Sequence, residues 1–295
     1  EEANISDATI TLNPKNGTYN GSAYAPDVTV TFNGATLVKD TDYVLSWEPS
    51  ELTNAGSYTA TITGKGNFKG TKNAVFSINP AEIKGAVVTL NQNTFVYDGL
   101  PHKPTAIVTF NGDTLTEGVD YEVYYLSSDQ IMKWNNGEPE KFFGTGKESC
   151  DSINAGQYYA VVFGKGNFAD NGRFAYAAYT IKKATVTEPT IASKPYTGSA
   201  QTADITDTEL YTVVKNDGGT GVKLNGYYDV VLKLKDSANY KWSTTDNAQV
   251  TLQFAITRAE NEWAVNPSIS EWIYGETANE PVGEAKFGEA SVEYS

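Results

Sequence analysis

The chain has 295 residues, of which 40% are hydrophobic and 12% aromatic, and its formal net charge is −14. This length predicts two or three domains of ordinary size. The acidity argues against nucleic acid and anionic lipid as partners, because both require clustered Lys and Arg. One cysteine, Cys150, and one histidine, His102, are too few for an internal disulfide or a zinc cluster. We interpret His102, beside Pro101 and Lys103, as a solvated loop residue.

The first elements in chain order are short strands separated by turns. Residues Val28, Val30 and Phe32 alternate with polar residues and are followed by Asn33-Gly34, a strong signal for a two-residue hairpin turn. The turn Tyr19-Asn20-Gly21 precedes this strand, and Asp42-Tyr43 follows it. Nineteen Tyr and many Thr and Val also favour strands over helices.

The stretch 54–68, NAGSYTATITGKGNF, is the clearest element of the sequence. Tyr58, Ala60 and Ile62 alternate with three threonines, which predicts a strand with one buried face. The stretch returns at 154–168 as NAGQYYAVVFGKGNF, with ten of fifteen positions identical. The glycines of Gly64-Lys65-Gly66 lie between strands and not before a helix, so we interpret them as a hairpin turn and not as a phosphate-binding loop.

The surrounding elements recur with this stretch and define a repeat. The Tyr-x-Gly turn returns at Tyr97 and Tyr196 and weakly at Tyr274, and the closing strand ending at Ile78 returns at Ile181 and Ile256. We therefore predict four segments: repeat one (1–80), repeat two (81–183) with a 22-residue insertion, a divergent repeat three (184–259), and a C-terminal segment (260–295) that is the first half of a fourth, truncated repeat.

About seven short strands in each full repeat predict an all-β fold of tandem immunoglobulin-like β-sandwiches. The connections, such as Asn79-Pro80 and Lys182-Lys183, are short and not rich in Gly and Ser. Neighbouring sandwiches should therefore be held semi-rigidly and arranged end to end.

Taken together, the Tyr-x-Gly turn, the Asp-Tyr pair, Ala-Gly-x-Tyr, Gly-Lys-Gly-Asn-Phe and the closing Phe-x-Ile strand resemble bacterial immunoglobulin-like repeats of the YDG/MBG type. The resemblance covers residues 5–183 well and repeat three more weakly. It implies export to a bacterial cell surface, with the signal peptide and anchor elsewhere in the protein. It also implies a role as a spacer or adhesin module, and it brings no catalytic residues to transfer.

Asp42 and Asp120 occupy equivalent positions before a tyrosine, which favours a turn or a structural hydrogen bond over a site. We expect no catalysis, because no carboxylates cluster at the spacing that glycoside chemistry needs. No Asp-x-Asp-x-Asp calcium loop is present. No cofactor or metal is expected, no apolar run is long enough for a membrane span, and we expect a monomer.

The insertion in repeat two breaks the symmetry between the repeats. Long excursions from a regular scaffold often carry binding sites, and exposed aromatic residues can stack on a sugar or anchor a protein. We expect an extra hairpin between Tyr121 and Ala155, with Trp134 exposed. The alternative is that its aromatics cover their own sheet or the domain junction. The candidate ligand-binding residues are Tyr124, Tyr125, Trp134, Phe142 and Phe143.

The sequence therefore indicates a non-catalytic fragment of a bacterial surface protein that serves as a semi-rigid stalk. The alternative is an adhesin that binds a host glycan or a surface protein through the insertion. Two tryptophans, Trp242 and Trp263, are expected to pack where repeat three meets the C-terminal segment.

Overall fold

The computed structural model describes residues 1–135, 148–169, 174–222, 226–289 and 291–292, with the backbone alone for 133–135. The chain divides into two units, 1–182 and 183–295. The boundaries of the four segments, repeats one to three and the C-terminal segment, stay a prediction.

Repeat one is a sandwich of a three-stranded sheet, β2-β4-β5, and a four-stranded sheet, β3-β9-β7-β6. The first strand of the four-stranded sheet, β3, runs parallel to β9 at its edge, and β1 pairs in parallel with β8. The strands are β1 (Ala3–Asn4), β2 (Thr9–Asn13), β3 (Asn16–Thr18), β4 (Asp27–Phe32), β5 (Ala35–Thr36), β6 (Tyr43–Glu48), β7 (Gly56–Gly64), β8 (Phe68–Lys69) and β9 (Thr71–Asn79).

Repeat two has the same two sheets, β11-β13-β14 and β12-β18-β16-β15, and the same parallel pair, β10 with β17. An α-helix, α1, follows β15. The elements are β10 (Ala81–Glu82), β11 (Val87–Leu90), β12 (Thr94–Val96), β13 (Ala106–Phe110), β14 (Asp113–Thr114), β15 (Tyr121–Ser127), α1 (Ser128–Asn135), β16 (Gly156–Gly164), β17 (Phe168–Ala169) and β18 (Ala175–Lys182).

In the second unit, repeat three contains the sheet β21-β22-β24 and the parallel pairs β19-β23 and β20-β25, and β26 and β27 pair in the C-terminal segment. The strands are β19 (Ala184–Val186), β20 (Lys194–Pro195), β21 (Tyr211–Asn216), β22 (Tyr228–Leu234), β23 (Tyr240–Trp242), β24 (Gln249–Phe254), β25 (Ile256–Thr257), β26 (Trp263–Ser268) and β27 (Val282–Ala285).

The alternation predicted in the stretch 54–68 is confirmed. Tyr58, Ala60 and Ile62 are at most 4% exposed and pack between the sheets of repeat one, whereas the threonines between them point outward. In repeat two, Ala160 and Val162 are fully buried at the equivalent positions. The cross-strand pairs Tyr58–Phe76 and Tyr158–Tyr179 also correspond. These pairings confirm the predicted all-β fold of tandem immunoglobulin-like sandwiches.

The buried tyrosines tie the long central strands to the loops before them. The Tyr58 hydroxyl donates to the Asn54 carbonyl at 2.7 Å, and the Tyr158 hydroxyl donates to the Asn154 carbonyl at 2.9 Å. A buried hydroxyl needs such an acceptor. The repeated Asn-Ala-Gly loop is therefore fixed by the residue four positions further along.

The hairpin turn at Gly64-Lys65-Gly66 is also confirmed. The Lys65 amide donates to the Asp42 carbonyl, while one Asp42 carboxylate oxygen accepts the Val38 amide at 2.8 Å. A Cβ on Gly64 would lie 2.8 Å from the Phe68 backbone, which explains the glycine. The aspartate has the structural role that its recurrence predicted, and Asp120 does the same for Thr116.

Trp242 lies in the core of repeat three and not at the expected junction. It is fully buried among Val230, Leu232 and Phe254, and its ring centroid is 5.6 Å from that of Tyr211. Trp263, on β26, is 42% exposed. The prediction for Trp242 was wrong because β23, which carries it, pairs with β19 inside repeat three and turns this side chain into the core of that repeat.

The Glu188 carboxylate accepts three hydrogen bonds from the turn after β23. The Ser243 hydroxyl and the Thr244 hydroxyl donate to its two oxygens, and the Thr244 amide adds a third hydrogen bond at 3.0 Å. These donors stabilise the charged form and lower the pKa of Glu188 to about 2.

The described part of the chain contains no helix with the length and hydrophobicity that a bilayer crossing requires.

We expect Tyr58→Ala to lower the free energy of unfolding of its sandwich by about 3–5 kcal/mol, because it removes a buried ring and leaves a cavity. Tyr58→Phe keeps the ring and should cost only about 1 kcal/mol for the lost hydrogen bond. Denaturant unfolding of the full chain measures both. Equal losses for the two variants would contradict the core position of the ring.

Glu188→Gln should flatten the acid limb of the stability profile of the second unit. The folded-state pKa lies below the ordinary value of 4.5, so the stabilisation is complete above pH 4.5 and is lost as the pH falls towards 2. Urea unfolding between pH 2 and 6 compares the variant with Glu209→Gln, which alters an exposed carboxylate of the same repeat. Parallel pH profiles for the unsubstituted chain, Glu188→Gln and Glu209→Gln would show that the hydrogen bonds to Glu188 contribute nothing to stability.

Candidate functional site

Two of the candidate binding residues, Tyr124 and Tyr125, do not share a surface. Tyr124 and Tyr125 are neighbours on β15 and point to opposite faces of the sheet. Tyr125 points inward, where its ring centroid lies 6.2 Å from that of Tyr179 and its hydroxyl donates to the Pro104 carbonyl at 2.6 Å. Tyr124 points outward, and its hydroxyl donates to Glu122 at 3.0 Å. Burial raises the pKa of both phenols.

The other three candidates lie further along the range 122–153, which holds the insertion. Trp134 belongs to helix α1, of which the structure describes only the backbone at that position. Phe142 and Phe143 lie outside the described residues. The structure therefore places Tyr124 on the outer face next to the insertion, and a shared binding role for the five residues stays a prediction.

The insertion begins with helix α1, where the sequence analysis expected a hairpin. Ser127 and Gln130 form a capping box at its start: the Gln130 side chain accepts the Ser127 amide at 2.8 Å, and the Ser127 hydroxyl accepts the Gln130 amide. The motif Ser-x-x-Gln was readable in the sequence and was missed. A helix of eight residues is too short to show a clear hydrophobic period.

Helix α1 covers the outer face of the four-stranded sheet of repeat two. Its Ile131 is 8% exposed and packs with Leu126, Val161 and Phe163, which are at most 2% exposed. The Ser128 hydroxyl fastens the helix to β16 by donating to the Gln157 carbonyl at 3.0 Å. Helix α1 thus covers its own sheet through Ile131, and a covering role for the aromatics of the insertion stays a prediction.

Aromatic rings continue from this cluster across the same face. The ring centroids of successive neighbours are 5.6–6.0 Å apart along the path Tyr124, Phe163, Phe174, Tyr176 and Tyr159. Tyr176 is 56% exposed, so the row includes an accessible ring. We call these five residues the outer aromatic row.

Repeat one has no such row, although its backbone is equivalent. Matching the paired positions of the two repeats places Ser46, Thr59 and Thr63 where repeat two has Tyr124, Tyr159 and Phe163. The inner faces of the two repeats are similar, so the difference lies in what the outer face contacts. In the sequence, the loss of the alternating threonines was the signal for this change, and it was overlooked.

His102 is held in the Tyr-Asp-Gly turn of repeat two and is not a solvated residue as expected. Its ring stacks on Phe95 with a centroid distance of 4.5 Å, and its Nε2 lies 3.0 Å from an Asp98 oxygen. The pKa of Asp98 lies below its usual range because the Leu100 amide donates to the same carboxylate and His102 lies beside it.

Within the described residues, no three His, Cys, Asp or Glu side chains are grouped to hold a metal.

A second feature is the joint between repeats one and two, both within residues 1–182. The Asn167 side chain accepts the Ala55 amide at 2.8 Å and donates to the Asn54 side chain at 3.0 Å. Beside these bonds, the Tyr19 ring meets Phe168 edge to face at 5.4 Å. The joint thus consists of the Asn-Ala-Gly and Tyr-x-Gly turns of repeat one against the Gly-Lys-Gly-Asn-Phe turn of repeat two.

No family model and no curated protein sequence matches the chain. Among solved structures, it is similar to extracellular domains 3–5 of Drosophila OTK, with 11% identity, 87% of this chain and 99% of that chain covered, and a TM-score of 0.22. It is also similar to the I9–I11 tandem of titin, with 11% identity, 85% of this chain and 100% of that chain covered, and a TM-score of 0.20. A third similar structure is Bacteroides ovatus SGBP-B in complex with a mixed-linkage heptasaccharide, with 12% identity, 92% of this chain and 76% of that chain covered, and a TM-score of 0.17. Because these TM-scores are low, the fold assignment rests on the strand pairing.

We expect Ser127→Ala to destabilise helix α1 by about 1 kcal/mol, because it removes the N-cap acceptor. Faster amide exchange in residues 130–132, with unchanged exchange in β16, is the expected result. Ser57→Ala, at an exposed serine of repeat one, is the control. Unchanged exchange in the helix would show that packing on the sheet alone holds it.

Proposed function

We propose that the chain is part of a bacterial cell-surface protein and serves there as a non-catalytic, semi-rigid spacer outside the cell. The resemblance of its repeated motifs to bacterial immunoglobulin-like repeats supports the location. The observation that carries the spacer role is the joint between repeats one and two.

A spacer must keep its length, so its joints must resist bending. In this joint, two side-chain hydrogen bonds of Asn167 flank the contact between Tyr19 and Phe168. The connection between the two repeats is also short, because only Pro80 separates the end of β9 at Asn79 from the start of β10 at Ala81. The Ala81 amide donates to the Asn167 carbonyl, so the connecting strand and the joint share one residue.

The stiffness of the joint can be measured as a distance distribution between two spin labels. In the full chain with Cys150→Ser, labels at Val75→Cys and Ile107→Cys would report on repeats one and two, since both side chains are exposed. We expect a narrow distribution, and a clearly broader one after Asn167→Ala combined with Tyr19→Ala. Asn67→Ala, which changes the equivalent exposed asparagine of repeat one, is the matched control.

Two results would contradict the spacer role. A broad distribution in the chain with an intact joint would show that the repeats move freely. A narrow distribution that survives the double substitution would show that the named contacts do not set the geometry. Circular dichroism of each variant establishes that the sandwiches remain folded.

The outer aromatic row favours a second function, binding of a host glycan or a surface protein at the insertion side of repeat two. Aromatic faces stack on sugars and anchor protein partners. Repeat one carries small hydroxyl-bearing side chains where repeat two has Tyr124, Tyr159 and Phe163, and an asparagine where it has Tyr176. The row is therefore specific to the repeat with the insertion. The row already contains the candidate Tyr124, the candidates Trp134, Phe142 and Phe143 would extend it, and Tyr125 would support it from the inner face of the sheet.

Binding by this face predicts a selective effect of Tyr176→Ala. A glycan and host-protein array probed with the full chain would identify a ligand, and the substitution should weaken its binding by about 1–3 kcal/mol without lowering the melting temperature. Trp134→Ala should act in the same direction. Tyr274→Ala, at a fully exposed tyrosine of the C-terminal segment, is the control. No binding, or equal binding by all variants, would leave the spacer role alone.

A further inference from the structure

The first repeat carries its own copy of the surface that repeat two uses in the joint. The Ala3 amide donates to the Asn67 carbonyl at 2.9 Å, as the Ala81 amide does to the Asn167 carbonyl at the same distance. The rings of Phe32 and Phe68 meet edge to face at 5.3 Å, matching Phe110 and Phe168 at 5.1 Å. We call Phe32, Asn67 and Phe68 the acceptor face of repeat one.

The two acceptor faces differ in what covers them. In repeat two, Phe168 is 3% exposed and Asn167 is half-buried beneath the turns of repeat one. In repeat one, Phe68 is only partly buried and Asn67 is exposed. The backbone that presents the residues is the same, so the acceptor face of repeat one is already formed.

The aromatic half of the contact occurs a second time, in the second unit. The Tyr196 ring, from the Tyr-x-Gly turn of repeat three, meets Phe287 of the C-terminal segment at 5.0 Å. A Cβ on Gly198 of the same turn would lie 3.7 Å from the Phe287 ring. The Tyr-x-Gly turn therefore meets a phenylalanine of the following segment in both units.

We propose that the acceptor face of repeat one docks the Tyr-x-Gly and Asn-Ala-Gly turns of a further repeat of this type, joined to it as repeat one is joined to repeat two. The Asn67 side chain would accept the amide after the partner's asparagine, and Phe68 would receive the partner's tyrosine. This inference rests on the geometry of the joint and does not require the spacer role.

A further repeat in line fits the acceptor face better than a second copy of the chain does. The two turns of repeat one are already bonded to Asn167, so a second copy could offer them only by opening its own joint. The Tyr196 turn is in contact with Phe287. A new repeat in line would bring both turns free, with a connection as short as Asn79-Pro80.

The test adds residues 1–80 to the N-terminus of the full chain. The added repeat carries Glu51→Asp, an exposed position, so that mass spectrometry separates its peptides from those of repeat one. Hydrogen exchange then follows the Ala55 amide of the added repeat. Docking should slow this amide by roughly fivefold relative to the same chain with Asn67→Ala in repeat one, the effect of one lost hydrogen bond. Asn73→Ala, at an exposed residue of the same repeat, should leave it slow.

Equal exchange of that amide with and without the Asn67→Ala substitution would overturn the proposal. Sedimentation velocity of the unmodified chain gives a second reading. A monomer is expected. A dimer that dissociates on Asn67→Ala would show that a second copy of the chain occupies the acceptor face, and would overturn the proposal of a further repeat in line. Because Asn67 is exposed, its substitution should not unfold the repeat, and a melting curve of each variant verifies this.

Discussion

The inward orientation of every second residue along β7, repeated at the equivalent positions of β16, is the constraint on which the rest of the structure depends. Tyr58, Ala60 and Ile62 can reach the interior only in one register, since a slip of one residue would turn them to solvent. That register also fixes the position of the Gly-Lys-Gly-Asn turn at the end of the strand. The same fifteen residues therefore determine both the core of a repeat and the end by which it contacts its neighbour.

Fixing the inner face leaves the outer face free to differ. In repeat one the outer positions of β7 are threonines, which a solvated sheet face tolerates. In repeat two the same positions hold Tyr159, Val161 and Phe163, and helix α1 covers part of them. An unshielded apolar sheet face of this kind would promote association. The insertion and the apolar outer face therefore depend on each other. Helix α1 shields part of the face from solvent, and the outer aromatic row continues beyond the helix.

Much of the fold could be predicted from the sequence, because period-two alternation and turn residues are local signals. The inner-face register, the hairpin turns and the roles of Asp42 and Asp120 follow from them. The position of Trp242 could not be predicted, since a tryptophan in a divergent repeat suits a core and a junction equally. Helix α1 depends on packing against Val161, a contact distant in sequence. For the candidate site, sequence reasoning located the insertion, but the separation of Tyr124 from Tyr125 follows only from the strand register.

The parallel pairing of β3 with β9 has a mechanical consequence. Strand β9 leads directly into repeat two, and the chain enters β3 from β1 and β2 at the opposite end, so tension that reaches both strands draws these neighbours in opposite directions along their length. The evenly spaced hydrogen bonds of a parallel pair then share the load in shear instead of opening one after another. Repeat two offers the same geometry through β12 and β18. Tension along residues 1–182 would therefore be resisted by the strands nearest the connection, before it reached the buried tyrosines.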